Sequence, residues 1–286
     1  MNFPKILRDH SNINIYLDEK ELVNLNSQLT LKQRATLITE KHFIKVGIST
    51  GREFFNSLFN EMNIDKTLKC SMVTTPKLLD FFHNEECIIL IFEKIEGITL
   101  GSHRNDFTLQ LDIAFNELFN VIKNIAEIKN YPKNIDVLNR DMKAANYFEK
   151  IYKRLDMETR GALECLIGKL HQNPYLVFSH GDLIPTNIIK TKRSYYIIDW
   201  EWASLRPSTY DAALFILFSS CPLDGVRKIE KLFRYWDPME LYRDAIIISA
   251  REIKNWLDVK DSTIKEKYIK IWLKTLKKAT RWLMSH

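Results

Sequence analysis

The chain has 286 residues, 45% hydrophobic and 27% charged, with a formal net charge of +6. That is the balance of a globular protein with a sizeable core and, by length, about two lobes. The longest clean apolar run, 212–218, is far short of the roughly 20 residues a membrane span needs, and MNFPKILRDH at the start lacks an apolar core of signal-peptide length, so a cytoplasmic protein without a membrane span is expected.

In chain order, "ATLIT" (35–39) and "HFIKVG" (42–47) are β-like runs separated by the polar pair Glu40-Lys41, a hairpin pattern. "TGRE" (50–53) reads as a capping box opening an amphipathic helix that carries Phe55, Leu58, Phe59 and Met62. "ECIILIFEKIEG" (86–97) reads as a buried strand ending at Gly97. The period then changes: Leu111, Phe115, Leu118, Ile122 and Ile125 step by three and four, as on a helix. Two more helices are expected near 144–155 and 158–171, then short strands near 175–178, 186–190 and 195–199, then mostly helix. The last predicted helix bears Ile264, Tyr268, Trp272, Leu276, Ala279 and Leu283 on one face. Residues 251–286 hold ten Lys/Arg against four Asp/Glu, so the basic excess of the chain is the solvated face of this helix, and no nucleic-acid partner is expected. The expectation is an α+β, two-lobed chain: a strand-rich lobe over 1–95 and a larger, mostly helical lobe over 96–286, with a ligand crevice between them. The four cysteines, Cys70, Cys87, Cys165 and Cys221, have neither C-x-x-C nor zinc spacing and read as buried apolar fillers.

The chemistry concentrates in "FSHGDLIPTNIIKTKRSYYIIDWEWAS" (178–204). Asp182 and Asn187 are five apart, and Asn187 and Asp199 twelve apart. "NIIK" and "YYIID" can pair across "TKRS", which brings Asn187 and Asp199 to one end with Asp182 in the adjoining loop. Magnesium takes oxygen ligands, typically one or two carboxylates plus substrate phosphates; Asn187 and Asp199 suit that role. A carboxylate held near the metal but off it can accept a hydroxyl proton; Asp182 suits this one. His180 and Asp182 also fit the H-x-D opening of an iron site, but the only later histidine is His286 and the pattern is not all-β.

"HGDLIPTN" followed by "IIDWE" resembles the catalytic signature of the aminoglycoside phosphotransferase and choline kinase superfamily, which has a protein-kinase-like fold. The resemblance implies that Asp182 is the catalytic base and that Asn187 and Asp199 bind Mg²⁺, with His180 shaping the loop and Glu201 supporting Asp199. "FIKV" resembles the strand bearing the ATP-binding lysine, here Lys45, and "GREFF" the helix bearing its glutamate partner, Glu53, with Glu61 as the substitute. "LIFEKIEGITL" resembles the hinge, whose backbone from Glu93 to Ile95 would hold adenine, and "YDAALF" a segment in which Asp211 is structural. Two positions depart from the pattern. The first glycine is Gly47, so the loop over the phosphates would be "VNLNSQLT" (23–30), offering Asn26 and Ser27. Ile184 stands where relatives often carry a second histidine.

The implied activity is an ATP-dependent (or GTP-dependent), Mg²⁺-dependent transfer of the γ-phosphoryl group to the hydroxyl of a small molecule. An aminoglycoside would use acidic residues such as Asp224, Glu230, Asp237, Glu240, Asp244 and Glu252. A choline-like amine would use an aromatic cage drawn from Trp202, Tyr210, Trp236, Tyr242 and Trp256. A sugar hydroxyl is the third option. A nucleotide-binding pseudokinase is the alternative class; a protein kinase lacks its D-F-G and A-P-E signatures here.

Overall fold

The computed structural model describes residues 15–109, 111–138, 140–170, 175–229 and 236–286. Two compact units divide the chain. The first runs to Ile98 and takes in Asn130–Lys133 and Ile189–Ala203; the second comprises Thr99–Lys129, Asn134–Ile188 and Ser204–His286.

The first unit is built on an antiparallel sheet in the order β1-β2-β4-β3: β1 Arg34–Ile38, β2 His42–Ile48, β3 Leu78–His83 and β4 Cys87–Glu93. The expected hairpin is present, with Thr39, Glu40 and Lys41 between its strands. β4 is apolar throughout because both its faces are covered. Cys87, Ile89 and Ile91 join Ile44, Val46 and Ile48 of β2 under helix α1 (Glu19–Lys32), through Leu25 and Leu29. Ile88, Leu90 and Phe92 face helix α2 (Arg52–Lys69), through Leu58, Phe55 and Met62. Alternation along β2 therefore sends Lys45 toward α2.

Three expectations are corrected in this unit. Residues 23–30 lie inside α1, not in a phosphate loop. Leu22, Leu25 and Leu29 repeat at helical spacing, and a reciprocal cap between Asp18 and Glu21 starts the helix, with bonds of 2.8 and 2.9 Å. α2 begins at Gly51 with no side-chain cap, so Thr50 and Glu53 form no capping box. β4 stops at Glu93, ahead of Gly97.

The second unit is mainly helical: α3 Leu111–Ala126, α4 Arg140–Ile151, α5 Met157–Leu170, α6 Tyr210–Ser219, α7 Pro222–Lys228, α8 Pro238–Leu257 and α9 Ser262–Ser285. The run 212–218 is the centre of α6, whose ten residues are all buried. α9 buries Trp272, Leu276, Ala279 and Leu283 as expected, while Ile264 is exposed. Lys277 and Arg281 of α9 pair with Asp156 and Glu158 at the start of α5, so part of the basic face is already neutralised. A two-stranded sheet joins β6 (Leu176–Ser179) to β9 (Ser204–Pro207). β5 (Ile98–Thr99), β7 (Ile188–Lys190) and β8 (Tyr195–Ile197) form a third small sheet in the order β5-β7-β8, and the Thr191–Ser194 turn closes the β7–β8 hairpin. Of the cysteines only Cys87 is fully buried; Cys70 follows α2 and Cys165 lies on an outer face of α5, both exposed, which corrects their reading as core fillers. Among the described residues no helix is long and apolar enough to cross a membrane.

Candidate active site

In the first unit the site is organised by one buried ammonium. Lys45 Nζ lies 2.7 Å from Glu61 Oε2, 2.6 Å from Asp199 Oδ1 and 3.2 Å from Glu201 Oε1. Glu61 is therefore the partner, not Glu53. Glu53 sits in the exposed first turn of α2, two helical turns and roughly 12 Å along the axis from Glu61. Between them on the same face, Ser57 Oγ donates to Glu201 Oε2 at 3.0 Å.

Neighbouring backbone holds these carboxylates in place. The Trp200 N–H donates to Glu61 Oε1 at 3.1 Å, and the Asn60 amide donates to the carbonyls of Glu201 and Ala203 at 3.1 and 3.0 Å. Asp199 follows β8 in a left-handed conformation (φ 68°, ψ 59°). Such a backbone costs a non-glycine residue on the order of 1 kcal/mol, and Asp and Asn tolerate it best. Asp199 is also the accessible carboxylate of the three: its side chain is 33% exposed, against 5% for Glu61 and 3% for Glu201. Burial disfavours the charged lysine, but the three carboxylates more than offset it and raise its pKa. Burial pushes Glu61 up to about 7, with Lys45 opposing and Asp199 and Glu201 adding to the rise.

In the second unit, the loop after β6 carries Asp182 and Asn187. Asp211, at the start of α6, accepts from the His180 N–H at 2.7 Å and the Gly181 N–H at 3.0 Å, the structural role expected of it. Gly181 adopts φ 80°, which a side chain would strain, and this turns the chain so that the Asp182 N–H donates to His180 Nδ1 at 3.2 Å. His180 is fully buried and supports the loop. The Asn187 amide donates to the Asp182 carbonyl at 2.8 Å, leaving its own oxygen as an acceptor.

Sequence reasoning missed what surrounds Asp182. Arg104 grips its carboxylate with both forks, Nη1 to Oδ2 at 2.7 Å and Nη2 to Oδ1 at 3.0 Å. Arg251 lies 3.6 Å away, and Glu252 pairs with both arginines, at 3.1 and 2.9 Å. Burial would raise the pKa of Asp182, but Arg104 and Arg251 overcome it and hold the group below the usual carboxylate range. Neither arginine belongs to a motif; both reach Asp182 from distant positions in the chain.

The other expected acceptor residues are dispersed. Asp224 pairs with Arg227, Asp237 caps α8, Glu240 pairs with Arg243 and Asp244 accepts from Thr209; Glu230 lies outside the described residues. Tyr242 stacks on Trp282 and Trp236 meets Phe119. Trp202 is partly exposed in the first unit, and Tyr210 bonds Arg251. At the expected hinge the Glu93 and Lys94 N–H groups donate to the Lys77 and Lys41 carbonyls, both at 3.0 Å.

The residues present fit a magnesium ion. Glu61, Asp199 and Glu201 bring carboxylate oxygens within 4.8 Å of one another, with the Lys45 ammonium among them and the Arg34 guanidinium 3.8 Å from Glu201. Asp199 in the first unit offers an accessible carboxylate oxygen and Asn187 in the second an amide oxygen, both hard donors of the kind magnesium takes.

Residues 28–222 match the family model of choline/ethanolamine kinases. A curated relative, the protein LicA homolog of Mycoplasma capricolum subsp. capricolum, is 24% identical over 204 residues, covering 68% of this chain and 76% of that protein. The GDP complex of aminoglycoside 2'-phosphotransferase-IIIa is similar in fold, with a TM-score of 0.65 at 14% identity over 93% of this chain and 99% of that one. The gentamicin complex of APH(2")-IIa gives a TM-score of 0.58 at 15% identity, over 91% and 98%. Fold and site together define a kinase-like small-molecule phosphotransferase. Within that class, the chain belongs to the choline/ethanolamine kinase family.

Proposed function

We propose that the protein transfers the γ-phosphoryl group of ATP to a hydroxyl of a small molecule. Lys45 holds the α- and β-phosphates. Asn187 and Asp199 hold Mg²⁺, which when bound neutralises charge on the transferring phosphates. Asp182 orients the acceptor hydroxyl and takes its proton as the new O–P bond forms, the bond to the bridging oxygen breaks and ADP departs. The backbone from Glu93 to Ile95 receives the adenine. The reaction proceeds in the cytoplasm.

The observation that carries this reading is the Lys45 ammonium, buried yet shared by Glu61 and Asp199. A structural lysine has no need of three carboxylates, whereas a phosphate-binding lysine needs to be fixed in place before substrate arrives. Family membership favours a small amino alcohol as acceptor over an aminoglycoside or a sugar.

The test is incubation with Mg²⁺-ATP and a pool of choline, ethanolamine, sugars and gentamicin, followed by mass spectrometry. A phosphorylated small molecule is expected. Nucleotide binding without product from any acceptor supports a pseudokinase instead, and phosphate found only on protein overturns the substrate class.

A further inference from the structure

Arg104 is the outermost member of a charge network around Asp182, and its surroundings are those of a bound cation. Its guanidinium meets Asp182 from the loop after β6 at 2.7 and 3.0 Å, and Glu252 from α8 at 3.1 Å. Its Cζ stands 4.9 Å over the ring of Phe218 from α6. Two carboxylates and an aromatic face, supplied by three elements, are the chemistry that recognises an organic cation. Both acids belong to the wall of this place, with side chains 14% and 2% exposed, while Arg104 is 36% exposed.

The loop that carries Arg104 is held without its guanidinium. The Leu100 N–H donates to the Ile188 carbonyl at 2.9 Å. Gly101 packs so closely on the turn after Asp182 that a Cβ there would come within 3.1 Å of Pro185. Asp106 accepts from the Ser102 N–H and hydroxyl and from the Thr108 hydroxyl. Phe107 anchors the loop among Phe218, Tyr268 and Trp272, with ring centroids 6.3–6.4 Å apart. Rotation of the Arg104 side chain alone, with the backbone fixed, therefore vacates the place. What is left is Asp182 and Glu252 against Arg251, two negative charges to one positive, beside the Phe218 ring.

We propose that Arg104 is the specificity-determining residue of the acceptor site: its guanidinium fills a subsite for a cationic group, and a cationic acceptor binds by displacing it. This deepens the proposed kinase reading and rests on Asp182 as the base. Displacement has a chemical consequence. While Arg104 is seated, both oxygens of Asp182 are engaged by a cation. When the acceptor's own cation replaces it on Glu252 and Phe218, an Asp182 oxygen is released for the hydroxyl proton. The base is thus exposed only when a matching acceptor is present, which protects the nucleotide from water. An anionic acceptor fits less well, because both arginines are already committed to protein carboxylates and the anion would approach two negative side chains.

The test is calorimetric titration with tetramethylammonium chloride, which has no hydroxyl and reports binding alone. The wild type, Arg104→Ala and Arg104→Ala/Glu252→Gln are compared, with neopentyl alcohol as the neutral probe of similar shape. Arg104→Gln, which is shorter and uncharged but keeps an amide donor, is read in the same way should the alanine variant fail to fold. The expected result is at least a tenfold tighter affinity for tetramethylammonium in the single variant, lost in the double variant and absent for the neutral probe. Equal affinity in wild type and single variant overturns the proposal, as does an equal gain for the neutral probe, which would mark a mere cavity. With a cationic acceptor that is turned over, Arg104→Ala lowers its KM while the KM for ATP stays unchanged; a loss of kcat with both KM values unchanged assigns Arg104 to holding the base and overturns the subsite. Because the titration needs no phosphoryl transfer, failure of the kinase reading leaves its outcome intact.

Discussion

At Lys45 burial and charge conflict most sharply, and the outcome is measurable. Lys45→Met strands three carboxylates in a place built around a cation. Breaking a buried pair in this way costs about 3–5 kcal/mol, and turnover falls on the order of 10²–10³-fold by loss of a fixed electrostatic contact to the phosphates; denaturant melts and steady-state kinetics check the two parts. Glu61 gives a prediction with a definite sign. Its pKa rises from 4.5 to about 7 in the native state, so between those values the folded protein holds a proton that the unfolded chain has released. Its contribution is present below that window and is lost as pH rises through it. In metal-free buffer, denaturant midpoints from about pH 5 to 7.5 will fall more steeply for wild type than for Glu61→Gln; identical slopes contradict the assignment. Asp182, shifted downward, contributes above the unfolded carboxylate range and is lost only at lower pH. Asp182, Asn187 and Asp199 could be singled out as candidates from the sequence, because all three fall within one short stretch at recognisable spacing. Glu61 was less legible: the choice against Glu53 turns on which helical turn of α2 faces Lys45, which only the β2–α2 packing decides. Arg104 and Arg251 left no signal, since their partner is 78 and 69 residues away along the chain.

Among the elements, α1 is where pattern reading went furthest astray. Fixing 23–30 as a loop placed weight on a missing glycine, when the leucine spacing and the Asp18–Glu21 cap already specified a helix. Two consequences separate the readings. Ser27→Ala, on an exposed turn of α1, will leave the KM for ATP within twofold of wild type, whereas a phosphate loop would be weakened by it. Asp18→Ala will cost about 1 kcal/mol through the lost cap, measured by thermal or denaturant unfolding. The β1–β2 hairpin, β4 and helices α3, α5 and α9 were legible because each carries a clear period or a continuous apolar run. Only β4's continuous run required a cover on both faces, and the sequence does not say which helices provide it.

For the whole molecule, the sequence conveyed the order of a strand-rich region followed by a helical one, and this order is what the family shares. It did not convey that Ile189–Ala203 rejoins the first unit, a consequence of pinning by Thr74, Asn60 and Glu61 to backbone groups far along the chain. Ligand linkage extends the account to global stability. Mg²⁺ with ADP at 100 times its Kd will stabilise the fold by about 2.7 kcal/mol, and Asp199→Asn will lose the magnesium-dependent part while keeping stabilisation by ADP alone. The central claim, that Asp182 is the base of a phosphoryl transfer supported by Asn187 and Asp199, is tested most directly by single-turnover phosphorylation of an accepted substrate. Asp182→Asn will bind nucleotide within about twofold of wild type and transfer phosphate about 10²–10⁴-fold more slowly; transfer at the wild-type rate by that variant would contradict it.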